Sequence, residues 1–350
     1  MAQEKQLHEA LEAFGLGPEV LNIKGDYGTG HVNDTYAVRV QKETGPANYI
    51  VQRINTYVFK APDQMMENIA NICQFMAEKL RARGEDTSRG VLEFLQTDDG
   101  KYYFIDSLGD AWRSYRFIEN SVTYNQAETA EMFGKSGRAF GKFMLLLKDY
   151  PAEELHETIK HFHDTVSRYE DFKQAVKEDV KGRKHLVEDE IQFVLDREEP
   201  AGTLIRALEK KELPIRVTHN DTKLNNVLFD EETDETLCVI DLDTVMPGLA
   251  AYDFGDAIRF GASTATEDER DLSKVQLDMD YYEAYTRAYL EVAAEALTEK
   301  EIESLPWGAY IMTLEVGLRF LQDYLQGDVY FKTNGPDDNL YRARTQFKLV

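Results

Sequence analysis

Thr218 to Asn226 reads THNDTKLNN and lies between PIRV (214–217) and VLF (227–229), two runs whose apolar residues call for burial. A histidine, an aspartate and several amides placed between such runs are costly to bury unless each finds a partner. The simplest reading is a polar turn between two strands. A second observation makes that reading too small. Twenty residues after Asp221, the apolar run TLCVI ends in DLDT and supplies Asp241 and Asp243. His219, Asp221 and Asn226 form the spacing H-x-D-x-x-x-x-N. Carboxylates and a side-chain amide oxygen are hard donors suited to Mg²⁺, which takes one or two carboxylates and completes its shell with substrate phosphates. A further carboxylate can orient and deprotonate an attacking hydroxyl. A base, plus an Asp and an Asn for the metal, are the parts that phosphoryl transfer requires. The competing reading has Asp221 and Asn226 capping turns and Asp241 ending a strand.

The chain has 350 residues, enough for a substantial core and most naturally for two lobes. Hydrophobic residues at 43% and charged residues at 30% describe a globular protein, not a disordered one. The formal net charge of −24 excludes a nucleic-acid binder of the usual kind, because no basic face is available to neutralise phosphates. An anionic ligand would need local cations or a metal against that general field. Cys73 and Cys238 lie far apart in apolar surroundings, which gives neither a disulfide framework nor a thiolate zinc site. The opening stretch MAQEKQLHEALEAFG reads as a polar amphipathic helix and not as a signal peptide. No apolar run approaches membrane-spanning length. The expectation is a cytoplasmic protein with a small-molecule substrate, no nucleic-acid partner and no membrane contact.

Residues 22–59 read as β-rich, with Gly25, Gly28 and Gly30 at a hairpin tip and a turn through Glu43–Ala47 before NYIVQRIN. Met65, Met66, Ile69, Ile72, Cys73, Met76 and Leu80 have helical spacing and predict a helix over about 62–83. VLEFLQT and KYYFIDS read as a hairpin through Asp98–Gly100, and AWRSYRFIE as a further strand. Beyond residue 120 the pattern turns helical over 126–148, 164–196, 200–211, 278–296, 299–305 and 307–326, interrupted by the β-insert around THNDTKLNN. The expected architecture is α+β and bilobal: a small β-rich N-lobe (1–119) and a larger, mostly helical C-lobe (120–350), with a ligand between them.

THNDTKLNN, IDLDTVMPG and YDFGDAIRFGAS together resemble the aminoglycoside phosphotransferase/choline kinase superfamily of protein-kinase-like small-molecule kinases. GHVNDTY, YIVQRIN, WRSYRFIE, ETIKHFHDT, SRYEDFK, FGASTATEDERDLSKV and GLRFLQDYLQGDVYF extend the likeness over nearly the whole chain, more narrowly to bacterial N-acetylhexosamine 1-kinases. The resemblance implies a protein-kinase-like fold, ATP as phosphoryl donor and Mg²⁺. Asp221 would take the proton of the sugar's anomeric hydroxyl, and Asn226 and Asp241 would hold the metal. Asp243 would be a second-metal or outer-shell candidate, and His219 a brace for the loop. Gly28 and Gly30 would let backbone amides approach phosphate oxygens. The backbone of Phe117, Ile118 and Glu119 would read the adenine edge. Gln52 stands where these kinases carry a lysine, so this chain departs from the pattern there: Arg53 falls on the opposite face of a regular strand, and either Gln52 contacts the nucleotide without charge or the register is off by one. His31, Phe260, Arg319 and Tyr330 would shape the sugar pocket.

In the last long helix, Glu315, Arg319 and Asp323 follow one another at i, i+4 spacing. That is either a surface ion-pair ladder worth tenths of a kcal/mol per pair or, in a buried helix, an arginine that needs partners. HFHDT (161–165) reads as a helix start capped by its histidines and not as a metal site. The expected activity is ATP- and Mg²⁺-dependent 1-phosphorylation of N-acetylhexosamines. The alternatives are another small-molecule kinase of the same fold, acting on an amino alcohol, homoserine or an aminoglycoside, and a nucleotide-binding pseudokinase.

Overall fold

The computed structural model describes residues 2–28 and 32–350. The chain divides into two compact units. The first comprises Met1–Asn125, Glu154–Ile159 and Asn225–Met246, and the second Gln126–Glu153, Lys160–Leu224 and Pro247–Val350. Asp221 belongs to the second unit and Asn226, Asp241 and Asp243 to the first.

The first unit is built on an antiparallel sheet. Its strands β1 (Val20–Lys24), β2 (Asp34–Lys42), β3 (Gly45–Ile54), β4 (Phe104–Ile105) and β5 (Ala111–Arg116) lie in the order β1-β2-β3-β5-β4. Lys42 pairs with Gly45, so β2 and β3 are joined through a tight turn. Alternation along β2 and β3 sends Val38, Val40, Tyr49 and Val51 to one face. Helix α1 (Ala2–Ala13) covers that face with Leu7, Ala10 and Leu11, and Trp112 closes the cluster. Gln6 fixes the helix in place by donating to Asp106 at 2.9 Å, and the Trp112 indole donates to the same carboxylate at 2.8 Å. Helix α2 (Pro62–Ala82) buries the expected stripe of Met65, Met66, Ile69, Ile72, Cys73, Met76 and Leu80. A three-stranded sheet of Ser121–Val122, Val227–Asp230 and Thr236–Val239 completes the unit.

The predicted hairpin of VLEFLQT with KYYFIDS is corrected here. A turn does form, with the Thr97 amide donating to Lys101 O at 2.9 Å. The flanking segments, however, pair with β5 in place of each other, through the bridge Phe94–Tyr115 and the pairing of β4. A long strand with an open edge offers more buried hydrogen bonds than two short segments offer one another.

The second unit is helical and layered around Glu299–Gln326, a helix of 28 residues. The break expected at Pro306 does not occur, and the proline sits inside a continuous helix. One side of this helix packs Leu314, Leu318, Leu321 and Leu325 against Tyr169, Phe172, Val187, Ile191 and Val194. Another packs Ile311 and Met312 against Leu204, Leu213, Leu249 and Tyr252. The helix Ala250–Gly261 approaches so closely that a Cβ on Gly255 would lie 2.2 Å from Gly308 O, so only glycine fits there. The helical run expected over 164–196 is broken into Thr165–Glu178 and Glu188–Leu195. Asp179 (φ 41°) and Gly182 (φ 65°) turn the chain through the left-handed region between them. A terminal helix, Asp338–Leu349, was not anticipated from the pattern. Among the described residues no helix is long and apolar enough to cross a membrane.

Candidate functional site

The hairpin of the first unit sets the geometry of the two expected metal ligands. Val227 pairs with Val239, and the Ile240 amide donates to Asn226 O at 2.9 Å. Asn226 and Asp241 are thereby brought to the same end of one hairpin. Asn226 is buried, whereas Asp241 is exposed. Asp241 sits at φ 59° and ψ 56°, a left-handed conformation uncommon outside glycine and asparagine, of the kind held at functional positions. One amide oxygen and one carboxylate are the protein donors that Mg²⁺ uses when phosphates and water supply the rest of its shell, so the pair fits that ion. Among the described residues, no three His, Cys, Asp or Glu side chains gather to hold a metal by themselves.

Asp243, the third expected ligand, is occupied otherwise. Its Oδ2 accepts from Asn33 Nδ2 at 2.7 Å, and its Oδ1 forms a buried ion pair with Arg113. With both oxygens committed, it serves as an ion-pair partner in the sheet unit. Gln52 lies directly opposite Arg113 on β5 and Thr35 on β2. It donates to Thr35 Oγ1 at 3.0 Å and accepts from Arg113 Nε at 2.8 Å. Arg53 has partners of its own, Asp34 at 2.8 Å and Asp110 at 3.1 Å. The cation beside Gln52 is thus Arg113. Burial opposes its charge, but Asp243 foremost, with Tyr115 and Asp241, favours it, so its pKa stands above the usual arginine value. Sequence reasoning missed this residue. Its only signal was an arginine inside the apolar run AWRSY.

Gly28 has φ 84° and open space where a Cβ would stand, consistent with a bend that only glycine makes cheaply. Gly30 and His31 lie outside the described residues. Just before them, Tyr27 sets its ring edge-on to Phe117 with centroids 6.0 Å apart. At the expected adenine edge the Phe117 amide donates to Asn48 O at 3.1 Å, and Ile118 O accepts from Ser121 at 2.6 Å. Glu119 O accepts from Arg89 at 3.1 Å. Among the described residues neither the Ile118 nor the Glu119 amide makes such a bond, so both are donors of this stretch.

The second unit carries the loop His219–Leu224. His219 is fully buried, with its ring edge-on to Phe140 and Phe143. Its Nδ1 accepts from the Asp221 amide at 3.3 Å, so the histidine braces the loop. Asp253, on the helix Ala250–Gly261, accepts from the His219 and Asn220 amides at 2.8 Å each. Burial pushes the Asp253 carboxyl up to about 6, against the pull of His219 and those two amides. Thr222 adds two bonds to the same helix, from its amide to Asp256 at 3.1 Å and from its hydroxyl to Asp253 O at 2.6 Å. The loop is held at each of these residues, and the Asp221 carboxylate is half-buried at its tip.

Lys223 Nζ lies 2.8 Å from Asp221 Oδ1 and 5.9 Å from the centre of the Phe260 ring. Asp221 is the main reason that the lysine's pKa stands far above its usual value. The structure therefore brings Phe260 to the expected base. Lys223 was overlooked, although it stands within the opening motif, two residues after Asp221.

Arg319 forms the centre of a second group. Its guanidinium carbon lies 5.4 Å from the ring centre of Phe162, 5.9 Å from Tyr330 and 5.7 Å from Phe331. The structure thus joins Arg319 to Tyr330. A surface ladder of direct ion pairs does not form, although, against burial, His163 and, after it, the Arg319 charge help to hold the buried Glu315 carboxyl below its ordinary pKa. Fully buried Glu315 accepts from Thr165 Oγ1 at 2.6 Å and meets His163 Nδ1 at 2.9 Å. Asp323 accepts from the amides of Val329, Tyr330 and Phe331 and from Asn339, which shapes the turn that presents Tyr330. In HFHDT the helix cap is Asp164, which accepts from the Ser167 amide at 3.1 Å, and the histidines do not cap.

The fold has known relatives. The microcompartment-associated aminopropanol kinase matches with a TM-score of 0.66 at 14% identity, over 99% of this chain and 94% of that one. A spectinomycin phosphotransferase in complex with ADP and spectinomycin matches with a TM-score of 0.58 at 13% identity, over 98% and 93%. An ethanolamine kinase of Plasmodium vivax gives a TM-score of 0.54 at 14% identity, over 97% and 86%. At such identities these likenesses establish the α+β, protein-kinase-like fold alone. The Phosphotransferase enzyme family matches residues 27–298, well over half of the sequence, and the chain belongs to that family.

Proposed function

We propose that this protein transfers the γ-phosphoryl group of ATP to the anomeric hydroxyl of an N-acetylhexosamine, giving the α-sugar 1-phosphate. The observation that carries the kinase reading is that Asn226 and Asp241 lie at the same end of one hairpin, with Asn226 five residues downstream in sequence from an Asp221 whose amide is held by His219. Bound there, Mg²⁺ would neutralise phosphate charge as it develops. Asp221 accepts the proton of the attacking hydroxyl, and its role is that of a positioned general base. Lys223 keeps its charge throughout and steadies the Asp221 carboxylate beside Phe260. Attack falls on phosphorus, so the sugar's C1–O bond stays intact and its configuration is kept.

ATP is the donor we assign. The family membership and the ADP complex of the spectinomycin phosphotransferase support a nucleotide ligand. Gly28 would let amides approach the phosphates, and the Ile118 and Glu119 amides would be the donors for the base edge. For the acceptor, the extended sequence resemblance is the main support. Side-chain chemistry agrees with it. Glu315 and Asp323, the two acids on the Arg319 face of the helix, are used up by internal bonds. The aromatic set that could hold an ammonium group already holds the Arg319 guanidinium. Arg319 and Tyr330 therefore suit a neutral acceptor rich in hydroxyl and carbonyl oxygen better than an amino alcohol or an aminoglycoside.

An acceptor screen with ATP and Mg²⁺ tests this reading. N-acetylglucosamine and N-acetylgalactosamine should be phosphorylated, with phosphorus coupling on the anomeric carbon of the product by NMR. Turnover of ethanolamine, choline, homoserine or an aminoglycoside in their place would reassign the acceptor. No transfer to any acceptor, with nucleotide binding intact, would favour a regulatory role.

A further inference from the structure

Thr35, Gln52 and Arg113 form a row across β2, β3 and β5, joined by the hydrogen bonds Gln52–Thr35 and Arg113–Gln52. The row ends in the Arg113–Asp243 ion pair, whose residues are only 2% and 4% exposed. From Asp243 it continues to Asn33, whose own oxygen accepts from the Asn55 amide at 3.0 Å. Arg113 is walled by Met66, 3.9 Å from its Nη1, and by the Phe94 ring at 5.9 Å. A lysine at position 52 would place an ammonium group beside this guanidinium, and like charges buried side by side are strongly disfavoured. The glutamine can instead bridge a hydroxyl and a guanidinium, because it both donates and accepts.

Asp243 lies two residues after Asp241, within the tight turn Leu242–Thr244. Holding Asp243 therefore holds the backbone that carries the left-handed Asp241. A second brace comes from α2, where Asn68 donates to Val245 O at 3.1 Å. Asn33 stands just before β2, so the same carboxylate ties the start of that strand to the turn.

We infer that Arg113, aligned by Gln52 and acting through Asp243, is the positioning residue that orients Asp241 toward the nucleotide-bound metal. This inference rests on the Mg²⁺–nucleotide reading given above. Groups that orient metal ligands from behind contribute to metal affinity although they never touch the ion.

The test is calorimetric binding of ADP with and without Mg²⁺, alongside manganese paramagnetic resonance of the ADP complex. Arg113→Met should weaken Mg·ADP binding about ten- to hundredfold, while metal-free ADP affinity changes by less than about twofold on the same principle. Removing one partner strands a buried charge, so the double variant Arg113→Met/Asp243→Leu replaces the pair by apolar groups that can pack. In this folded background the metal-dependent loss should persist. Unchanged Mg·ADP affinity, or equal losses with and without metal, would overturn the positioning role. Wild-type protein that binds ADP equally with and without Mg²⁺ would overturn the metal reading itself, and is thereby distinguishable.

Discussion

Lys223 Nζ and Asp221 Oδ1 stand 2.8 Å apart at the tip of a loop whose amides at His219, Asn220, Asp221 and Thr222 are held from one helix or from His219. A rigid loop with one reactive carboxylate is what a positioned base requires. Asp221→Asn should leave Mg·ATP binding near wild type and lower kcat by about 10²–10⁴-fold, the usual contribution of a general base. Equilibrium binding and steady-state rates on the same preparation decide it. A near-normal kcat would remove Asp221 from the reaction.

Asp241→Ala should weaken nucleotide binding at least about tenfold in the presence of Mg²⁺ and much less in EDTA. Titration of activity against Mg²⁺ should show the half-saturating concentration moving up. An unchanged Mg²⁺ dependence would count against Asp241 as a ligand.

Asp253 provides a pH signature. Its folded-state carboxyl is pushed up to about 6, above its ordinary 3.8. A raised pKa means that the folded protein binds this proton more tightly than the unfolded chain. The corresponding stability is present below about pH 4 and is lost as pH rises through about 6. Asp253→Asn removes that dependence but also loses one acceptor for the loop amides. The unfolding free energy of the variant from urea titration, relative to wild type, should therefore improve between pH 5 and pH 7, by an amount on the order of 1–2 kcal/mol. Parallel pH curves for the two proteins would show that Asp253 is ionised throughout.

Arg319→Ala should raise the sugar KM by roughly ten- to hundredfold, the loss of about 1.5–3 kcal/mol for a charged hydrogen bond, with the ATP KM little changed. Lysine should rescue poorly, because it lacks the planar fork that stacks among Phe162, Tyr330 and Phe331. Equal changes in both KM values would make the residue a structural one.

The candidate motif and the strands that flank it were legible because they are carried by short spacings. The H-x-D-x-x-x-x-N loop and the VIDLD strand end lie on contiguous chain, and the strands on either side have clear apolar runs. Helix α2 was legible for the same reason, since its buried stripe repeats at helical spacing. The segment around residues 91–106 was misread because its strand partner, β5, could not be told from a nearer candidate by pattern alone. The ladder Glu315–Arg319–Asp323 was a sound reading of one helix in isolation. Thr165, His163 and Asn339 overrule it, and they come from elsewhere in the chain.

The amino-acid sequence by itself determined which residues could supply a base and metal ligands, because those depend on side-chain chemistry at short separations. It also determined that position 52 is not a cation. Only the tertiary structure decided that Arg113 stands beside Gln52, that Asp243 belongs to Arg113 and Asn33, and that Asp253 anchors the Asp221 loop. Those choices depend on strand register and burial. A buried charge or amide must be paired by whichever group the fold brings within reach, however distant in sequence.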